Sequence, residues 1–443
     1  MATLDIDGVR ASFPSLESGY IYADNAGGSQ TAQGVIDRIV DYLTNTNVQL
    51  GADYFVGTLS TQRVDEGSFT VAELFNAASI DEVAFGPSST MIIENIARAL
   101  ENDIQPGDEF IITYEHEGFY IILLYPFVKN NSTLIIANNG PWKRLAERCN
   151  AVVKYWRPTP VSAENPYSVA YKVEELLPLV SSRTRLAAIT ACSNILGSVV
   201  PVEEAVKALR QRAKEQGARK VEVSVDCVAY APHRKMDVQK WDIDYCVFSL
   251  YKVYGAHNAA AYVRSASLQT SLTSIAHHFL KVDDKPYKLQ PGGPGYELVY
   301  GATAVVPYLK SLTPEDDLAV SYDAIANHEQ KLLVPLLRFL TDAKQVGRGV
   351  RIVGTSEINL SRVPTVSFVV VGQNTIKSKD IVGAFDKKGG IGIRYGHFYA
   401  YSLVDNLRPK LDVDDGVVRI SLVHYNTVGE VEKIVDVLRE VLA

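Results

Sequence analysis

Two apolar runs in the middle of the chain each end in a charged residue. They read Val221-Glu-Val-Ser-Val-Asp226 and Tyr245-Cys-Val-Phe-Ser-Leu-Tyr-Lys252. Short apolar runs between helical patterns are typical of buried parallel strands, and the carboxyl ends of parallel strands meet at one edge of a sheet. We therefore expect Asp226 and Lys252 to lie close together. Taken alone, a charge at the end of a strand is more often a solvated end, so this pair needs support from other segments.

The surrounding sequence alternates strand-like runs with amphipathic helical patterns. A helix is predicted for Pro201–Glu215, because apolar residues from Val202 onward recur on one face and Gly217 follows the last of them. Repeated strand–helix–strand units predict an α/β fold with a mainly parallel sheet covered by helices. The predicted strands span 109–113, 132–136, 186–190, 221–225 and 245–249.

From about residue 310 the pattern changes to long helical stretches separated by fewer strands. This pattern predicts a smaller α+β domain at the C-terminal end of the chain. The predicted helices span 322–340, 379–388 and 428–442, and the predicted strands span 350–353, 365–371 and 417–421.

The composition limits the class of partner and the compartment. The chain has 443 residues, 47% of them hydrophobic and 21% charged, which suits a globular protein with a substantial core and two domains. A net charge of -7 argues against a nucleic-acid partner, and no apolar run approaches the ~18 residues of a membrane span. The N-terminus has no apolar signal core and the four cysteines form no C-x-x-C motif. We therefore expect a cytoplasmic protein with reduced thiols.

An acid and a lysine at neighbouring strand ends suit pyridoxal 5′-phosphate (PLP). The acid can keep the pyridine nitrogen protonated, so that the ring accepts electrons, and the lysine can form a Schiff base with the aldehyde. A phosphate site is indicated by Phe85-Gly-Pro-Ser-Ser-Thr-Met91, which places Ser89 and Thr90 at the start of a predicted helix. Free N–H groups at a helix start favour a phosphate. The alternative is an ordinary Ser/Thr helix cap, which needs only one such residue.

Three further candidate positions follow strand-like runs or lie among glycines. His116 could stack on a flat ring, but a lone histidine is more often structural. Asn194 follows another predicted strand, and Arg394 lies among glycines, which suits a bidentate carboxylate clamp or, equally, a salt bridge between domains. The chain has no G-x-G-x-x-G, no G-x-x-x-x-G-K-[ST] and no H-E-x-x-H motif. The adjacent pair His277-His278 is a poor metal site, so no metal is expected.

These segments, in this order, resemble class V aminotransferase-like enzymes, the group that contains cysteine desulfurases and isopenicillin N epimerase-like proteins. The segment Ser249-Leu-Tyr-Lys252 looks like the family's S-x-H-K, and Arg394-Tyr-Gly-His397 looks like its R-x-G-H. The resemblance implies the PLP-dependent transferase fold type I, which is aspartate-aminotransferase-like. It implies a large PLP-binding domain at 20–295 and a small domain formed by 1–19 and 296–443. It also implies a homodimer that acts on a small amino-acid substrate.

The resemblance also implies roles for individual residues. Lys252, Asp226 and His116 are the implied catalytic residues, with Lys252 joined to PLP, Asp226 on the pyridine nitrogen and His116 stacked on the ring. The implied substrate-binding residues are Gly27, Gly28, Asn194 and Arg394. The implied cofactor-binding residues are Ser89, Thr90, His116, Asn194, Asp226, Ser249, Tyr251, Lys252 and Gly293.

Departures from the family pattern bear on the reaction. Residues 372–393 contain no cysteine, so the mobile cysteine of a desulfurase is missing. Three residues after the pyridine aspartate, where the family has Gln or His, this chain has Ala229. Tyr251 occupies a position where the family often has His, and Gly293 occupies one where the family often has a phosphate-binding Thr. Phe398 and Tyr399 replace the family's His-Cys. The substrate side of the pocket is therefore expected to be larger and more aromatic.

A site that keeps the PLP residues and lacks the sulfur-relay cysteine predicts biosynthetic chemistry on an unusual amino acid. The chain is similar to the subgroup that includes the fungal loline-alkaloid PLP-dependent cyclase. We therefore expect an enzyme acting at Cα in a secondary-metabolite pathway, by decarboxylation or by Mannich-type C–C bond formation. A C–S lyase or desulfurase-like enzyme and an aminotransferase stay open as alternatives. A non-catalytic PLP-fold binding protein is disfavoured, because Lys252 is retained.

Overall fold

The fold was analysed in a computed structural model that describes residues 3–115, 139–280 and 285–443. Its strands, in chain order, are β1 Ile21–Tyr22, β2 Val83–Gly86, β3 Glu109–Thr113, β4 Val152–Trp156, β5 Thr159–Pro160, β6 Val169–Ala170, β7 Thr184–Thr190, β8 Glu222–Asp226, β9 Tyr245–Ser249, β10 Ala259–Val263, β11 Val350–Val353, β12 Thr365–Val370, β13 Ile391–Gly392, β14 Arg394–Gly396 and β15 Val417–Ser421. Its α-helices are α1 Ile6–Ala11, α2 Gln33–Asn45, α3 Phe55–Phe75, α4 Ser89–Leu100, α5 Asn139–Cys149, α6 Val173–Leu176, α7 Val202–Glu215, α8 Ser265–Thr270, α9 Tyr296–Ala302, α10 Val305–Lys310, α11 Leu318–Leu340, α12 Ala343–Arg348, α13 Ser378–Lys388, α14 Tyr401–Asn406 and α15 Val428–Val441.

The larger sheet has the order β2-β10-β9-β8-β7-β3-β4 among the described strands. The pairs from β9 through β4 are parallel, and β10 is antiparallel to both of its neighbours. Alternate residues of β7 pack on opposite faces: Leu186 joins a cluster with Trp142 of α5, and Ile189 joins a cluster with Leu209 of α7. Helices therefore cover both faces, which is why these strands are apolar throughout.

A second, antiparallel sheet has the order β11-β12-β15-β14. Its apolar face packs against α11, α13 and α15 in a separate cluster that contains Leu336, Phe385 and Ile434. The N-terminal segment reaches this region, because β1 pairs in parallel with β13 and Asp24 bridges to Ser421. The first strand of the chain thus carries Asp24 to the antiparallel sheet.

The structure confirms most of the predicted elements. The strand predicted at 245–249 is β9, and the one predicted at 221–225 is shifted by one residue, so that Asp226 is the last residue of β8. The long helix begins earlier than predicted, at Leu318, because the Asp317 side chain accepts hydrogen bonds from the first turn. The strand predicted at 132–136 lies outside the described residues. The domain boundaries stay a prediction.

A buried charge network holds the amino ends of the central strands together. Arg185 of β7 is fully buried, and its guanidinium contacts Asp103 and lies 2.8 Å from the Glu222 carboxylate of β8. Tyr245 of β9 donates to the same carboxylate at 2.9 Å, and Ser271 also donates to it. The arginine holds the pKa of Glu222 below its usual value against the effect of burial. This network lies at the opposite edge of the sheet from Asp226.

Replacing Arg185 with Ala should lower the free energy of unfolding by about 3–5 kcal/mol, because Glu222 would stay buried without its cation. Urea unfolding of the apoprotein measures the change. The exposed pair of Arg212 and Glu215 is the control, and Arg212→Ala should cost less than about 0.5 kcal/mol. Equal effects of the two variants would contradict a structural role for the buried network.

Candidate active site

A cavity of about 350 Å³ lies at the carboxyl edge of the larger sheet. Asp226 ends β8, Lys252 closes the short 3₁₀ turn after β9, and Thr190 ends β7. The expected meeting of Asp226 and Lys252 is thus observed. The cavity is lined by Ala26, Gly27, Ser88, Ser89, Thr90, Thr190, Cys192, Asn194, Asp226, Val228, Ala229, Ser249, Tyr251, Lys252, Arg394, Phe398, Tyr399 and Arg419.

The Lys252 side chain is buried, and its amine donates a 2.6 Å hydrogen bond to the carbonyl of Ala26. Burial, with a further contribution from Arg419, lowers the pKa of Lys252 to about 8. At pH 7 an amine with this pKa is neutral in about a tenth of molecules, a far larger share than an amine at the ordinary value of 10.5. A neutral amine is the form that attacks a carbonyl carbon.

Asp226 is almost fully buried, and its Oδ1 accepts a 2.8 Å hydrogen bond from the Val228 backbone N–H. The negative charge of Asp226 acts on Lys252 to raise its pKa, opposing the effect of burial. A backbone N–H fixes the position of the carboxylate, and the cavity leaves room for a cationic ring nitrogen beside it. Asp226 is therefore placed to hold a protonated pyridine.

The start of α4 forms an anion-binding corner of the cavity. Ser88 caps the helix, its hydroxyl accepting from the Met91 N–H at 3.2 Å, and Ser89 and Thr90 are the first helical residues. The helix is long enough for its dipole and free N–H groups to favour a phosphate. Ser249 and Tyr251 line the same cavity. The cap itself is Ser88, a residue that the sequence pattern did not single out.

Two arginines line the cavity and share the carboxylate of Asp24. Arg419 of β15 lies 2.8 Å from Asp24 Oδ1, and the half-exposed Arg394 lies 3.4 Å from Oδ2. The Arg419 guanidinium is buried 3.7 Å from the centre of the Phe398 ring, and burial lowers its pKa to about 10. Sequence reasoning missed Arg419. An arginine inside the apolar run Val417–Ser421 was the signal that could have found it.

Asn194 supplies a test of whether a polar ligand fits here. Its Nδ2 donates to the Phe398 carbonyl at 2.9 Å, and its Oδ1 is buried without a hydrogen-bond partner among the described residues. The Arg419 Nε is buried without a partner in the same region. Buried polar atoms normally have partners, so a polar group in the cavity would satisfy these two. The lysine, the acid and the helix start match the aldehyde, the ring nitrogen and the phosphate of PLP.

Two of the predicted site residues that the structure describes, Gly28 and Gly293, do not line this cavity. Gly28 lines an adjoining pocket that also contains Gly27, Tyr251 and Arg394. Gly293 lies in an exposed turn away from the cavity, where an added Cβ would be 2.9 Å from the Tyr296 hydroxyl. His116 lies outside the described residues. A single chain does not test Gly293, which was expected to reach the site of a second copy.

Glu115, at the end of the segment after β3, is a second residue that sequence reasoning missed. It is fully buried, and burial raises its pKa to about 8, with the nearby Asp226 charge adding to the rise and Ser193 and Tyr171 opposing it through hydrogen bonds. Glu115 is therefore mostly protonated at neutral pH. A neutral acid beside Asp226 avoids two adjacent buried negative charges.

A parallel sheet with a buried lysine, a buried acid and an anion-binding helix start at one edge defines a PLP-dependent enzyme of fold type I. A profile of the class V aminotransferases matches residues 21–123 and 132–434. The chain therefore belongs to the class V aminotransferase family, as its motifs suggested. Members of this family depend on PLP, and this chain is a PLP-dependent enzyme.

Solved cysteine desulfurases share the fold. The enzyme of Thermococcus onnurineus NA1 superposes with a TM-score of 0.79 at 22% identity, covering 100% of this chain and 99% of that one. CsdA of Escherichia coli gives a TM-score of 0.77 at 22% identity and covers 99% of both chains. At these identities the likeness establishes the fold and not the reaction. The expected fold class is thus confirmed.

More similar sequences come from fungi. The aminotransferase-like protein FGM3 of Gibberella zeae is 39% identical over 448 residues, which cover 100% of this chain and 99% of FGM3. The cysteine desulfurase-like protein ustD of Aspergillus flavus is 28% identical over 99% of this chain and 91% of its own length. The nonribosomal peptide synthetase-like enzyme fsqF of Aspergillus fumigatus is 29% identical over 98% of this chain but only 26% of its own length.

None of the helices in the described part of the chain is long and apolar enough to cross a membrane. Among residues 3–115, 139–280 and 285–443, no group of three or more His, Cys, Asp or Glu side chains could hold a metal ion.

Replacing Glu115 with Gln should change how stability depends on pH. The folded protein keeps the Glu115 proton up to about pH 8, whereas the unfolded chain releases it near its ordinary value of 4.5. Wild-type stability contributed by this proton is therefore full below pH 4.5 and is lost as the pH rises through 8. The glutamine amide does not titrate, so the variant does not lose this stability as the pH rises. The unfolding free energy of the variant minus that of the wild type should therefore grow by more than about 1 kcal/mol between pH 5 and pH 8.5.

Urea unfolding of the two apoproteins at a series of pH values measures this difference. The exposed Glu174→Gln variant controls for the loss of one surface carboxylate. A difference for Glu115→Gln that stays flat across the pH range would contradict a protonated Glu115.

Proposed function

We propose that this chain is a biosynthetic PLP-dependent enzyme that labilises a bond at Cα of an amino acid and forms no persulfide. Decarboxylation and Mannich-type C–C bond formation in a secondary-metabolite pathway are the reactions we favour. The observation that carries the proposal is the wall of the cavity, where Phe398 and Tyr399 replace the family's His-Cys beside an intact lysine and acid, while residues 372–393 contain no cysteine. The fungal relatives, one of them nonribosomal peptide synthetase-like, support a role in such a pathway.

Residues of this chain would hold and assist the cofactor. Lys252 would bind it covalently, Asp226 would keep a proton on the ring nitrogen, and the start of α4 with Ser89 and Thr90 would bind the phosphate. Bound PLP supplies an electron sink for the charge that develops at Cα. Ser249, Tyr251 and Asn194 would complete the contacts, and His116 and Gly293 stay proposed cofactor-binding residues, the latter reaching the site of a second copy.

Substrate recognition follows from the two guanidinium groups. Arg419 is buried and fixed by Asp24, and Arg394 is half-exposed at the mouth of the cavity. We assign the α-carboxylate to this pair, with Gly27 and Gly28 lining the approach. A carboxylate held at this point orients the bonds of Cα relative to the cofactor, and Lys252 can then take up or return a proton there because its pKa is near 8.

The thiols of the described residues do not favour sulfur transfer. Cys192 lines the cavity but is almost fully buried, and burial raises the pKa of its thiol far above its usual value. A thiol in that state is a poor nucleophile. A C–S lyase or an aminotransferase needs no such thiol and stays the alternative. A non-catalytic binding protein would have no use for a lysine amine with a lowered pKa.

The assembly is proposed to be a cytoplasmic homodimer with two domains per chain, 20–295 and 1–19 with 296–443. Exposed apolar side chains support a partner copy: Val40 on α2 is 54% exposed, and Phe55 and Phe69 on α3 are 81% and 61% exposed. Apolar groups of this size in water favour association. A small-molecule substrate is the other expected partner, with neither nucleic acid nor membrane.

Lys252→Ala should abolish turnover and the visible absorption of the protein-bound cofactor, because no other buried amine lines the cavity among the described residues. The purified wild type is mixed with a panel of amino acids that includes cysteine, and products are identified by mass spectrometry. The proposal expects loss of CO₂ or a new C–C bond and no protein persulfide. Persulfide on the wild-type protein, or activity in Lys252→Ala, would contradict the proposed function.

Arg394→Ala and Arg419→Ala should each raise KM for an α-carboxylate substrate at least about tenfold, because a charge-assisted hydrogen bond contributes ~1.5–3 kcal/mol. Steady-state kinetics on the acid and on its methyl ester separate carboxylate recognition from general damage. Arg419→Lys is the fallback if removal of the buried guanidinium unfolds the protein. If both variants still discriminate acid from ester as the wild type does, neither arginine reads the carboxylate.

A further inference from the structure

The segment that replaces the family's His-Cys has an unusual backbone. Phe398 and Tyr399 are consecutive residues with φ values of 49° and 65°, in the left-handed region that bulky side chains rarely adopt. Such a conformation costs free energy, and strain of this kind persists only where surrounding contacts impose it. Two strained residues in the cavity wall therefore raise the question of which side chain the strained backbone positions.

Contacts on three sides hold this turn. The Phe398 carbonyl accepts from Asn194 Nδ2 at 2.9 Å, and the Ala400 N–H donates to the His397 carbonyl at 2.8 Å. The Phe398 ring is buried under Arg419 at 3.7 Å. With Phe398 turned inward and both residues left-handed, Tyr399 is directed to the mouth of the cavity.

The Tyr399 side chain has room for a further contact. Its side chain lines the cavity, yet the residue is 58% exposed. Burial raises the pKa of Tyr251 and Tyr399 adds to that rise, so the two phenols face the same space. The buried Phe398 explains how the turn packs, but nothing in the packing explains a tyrosine, with its hydroxyl, at the next position.

We propose that Tyr399 is a specificity-determining residue whose hydroxyl binds a hydrogen-bonding group on the substrate side chain. The inference rests on the proposed action at Cα and names the substrate class: an amino acid with a hydroxyl, amide or amine in its side chain. With the α-carboxylate at Arg394 and Arg419, a substrate side chain that extends from Cα toward the exposed part of the cavity wall would meet Tyr399. A site built to hydrogen-bond a polar group discriminates against the analogue that lacks it.

The test compares matched amino acids in the holoenzyme. The pairs are homoserine with 2-aminobutyrate, ornithine with norvaline, and tyrosine with phenylalanine. For each acid, kcat/KM is measured, with the dissociation constant from the cofactor spectrum as a second readout. Wild type should prefer the polar member of at least one pair by tenfold or more, and Tyr399→Phe should lower that preference about tenfold.

Tyr54→Phe is the matched control, because Tyr54 is a tyrosine of similar exposure, 54%, that does not line the cavity. Thermal unfolding confirms that both variants are folded. Tyr399→Phe keeps the ring, so a preference that survives it overturns the hydrogen-bonding role and points to stacking. A wild type that prefers no polar member also overturns it while leaving action at Cα intact. Absence of any spectral response to every amino acid is a different result, and it would refute the proposed function itself.

Discussion

An amine buried beside a carboxylate is the constraint on which this site depends. Lys252 loses hydration in the cavity, so its charged form becomes costly and its pKa falls to about 8. Asp226 limits that fall and the Ala26 carbonyl directs the amine. Both strand ends must therefore stay in register, because a shift of one residue along β8 would turn the Asp226 side chain to the other face of the sheet.

Asp24 joins the N-terminal segment to the antiparallel sheet beside the same cavity. It comes from the N-terminal segment that pairs with β13, and its carboxylate contacts Arg419 of β15 and Arg394 of β14. A guanidinium near the protonated Lys252 amine repels it, and Arg419 contributes in this way to lowering the Lys252 pKa. The Asp24 charge opposes this effect. A residue far from Lys252 in the chain thus sets the charge balance of the cavity.

The sequence predicted the parts of the fold and site that depend on local patterns. The apolar runs β8 and β9, the capped start of α4 and the S-x-x-K segment follow from short-range rules, and Asp226, Lys252, Ser89 and Thr90 meet as expected. Arg419 and Glu115 were missed because their importance comes from tertiary burial. An arginine within a strand and an acid after one are ordinary until the surrounding packing is known. The conformation of Tyr399 is likewise imposed by Asn194 and Arg419, which are distant in sequence.

The two edges of the larger sheet differ in what they tolerate. At the amino edge, Arg185, Glu222 and Tyr245 form a buried network in which loss of the arginine leaves the Glu222 charge without its cation. At the carboxyl edge, Tyr399 lines the cavity but is more than half exposed. Mutations can therefore accumulate at the mouth of the cavity while the scaffold keeps its stability. Such a separation lets a lineage of enzymes acquire new substrates by drift at a few positions, without having to rebuild the cofactor site each time.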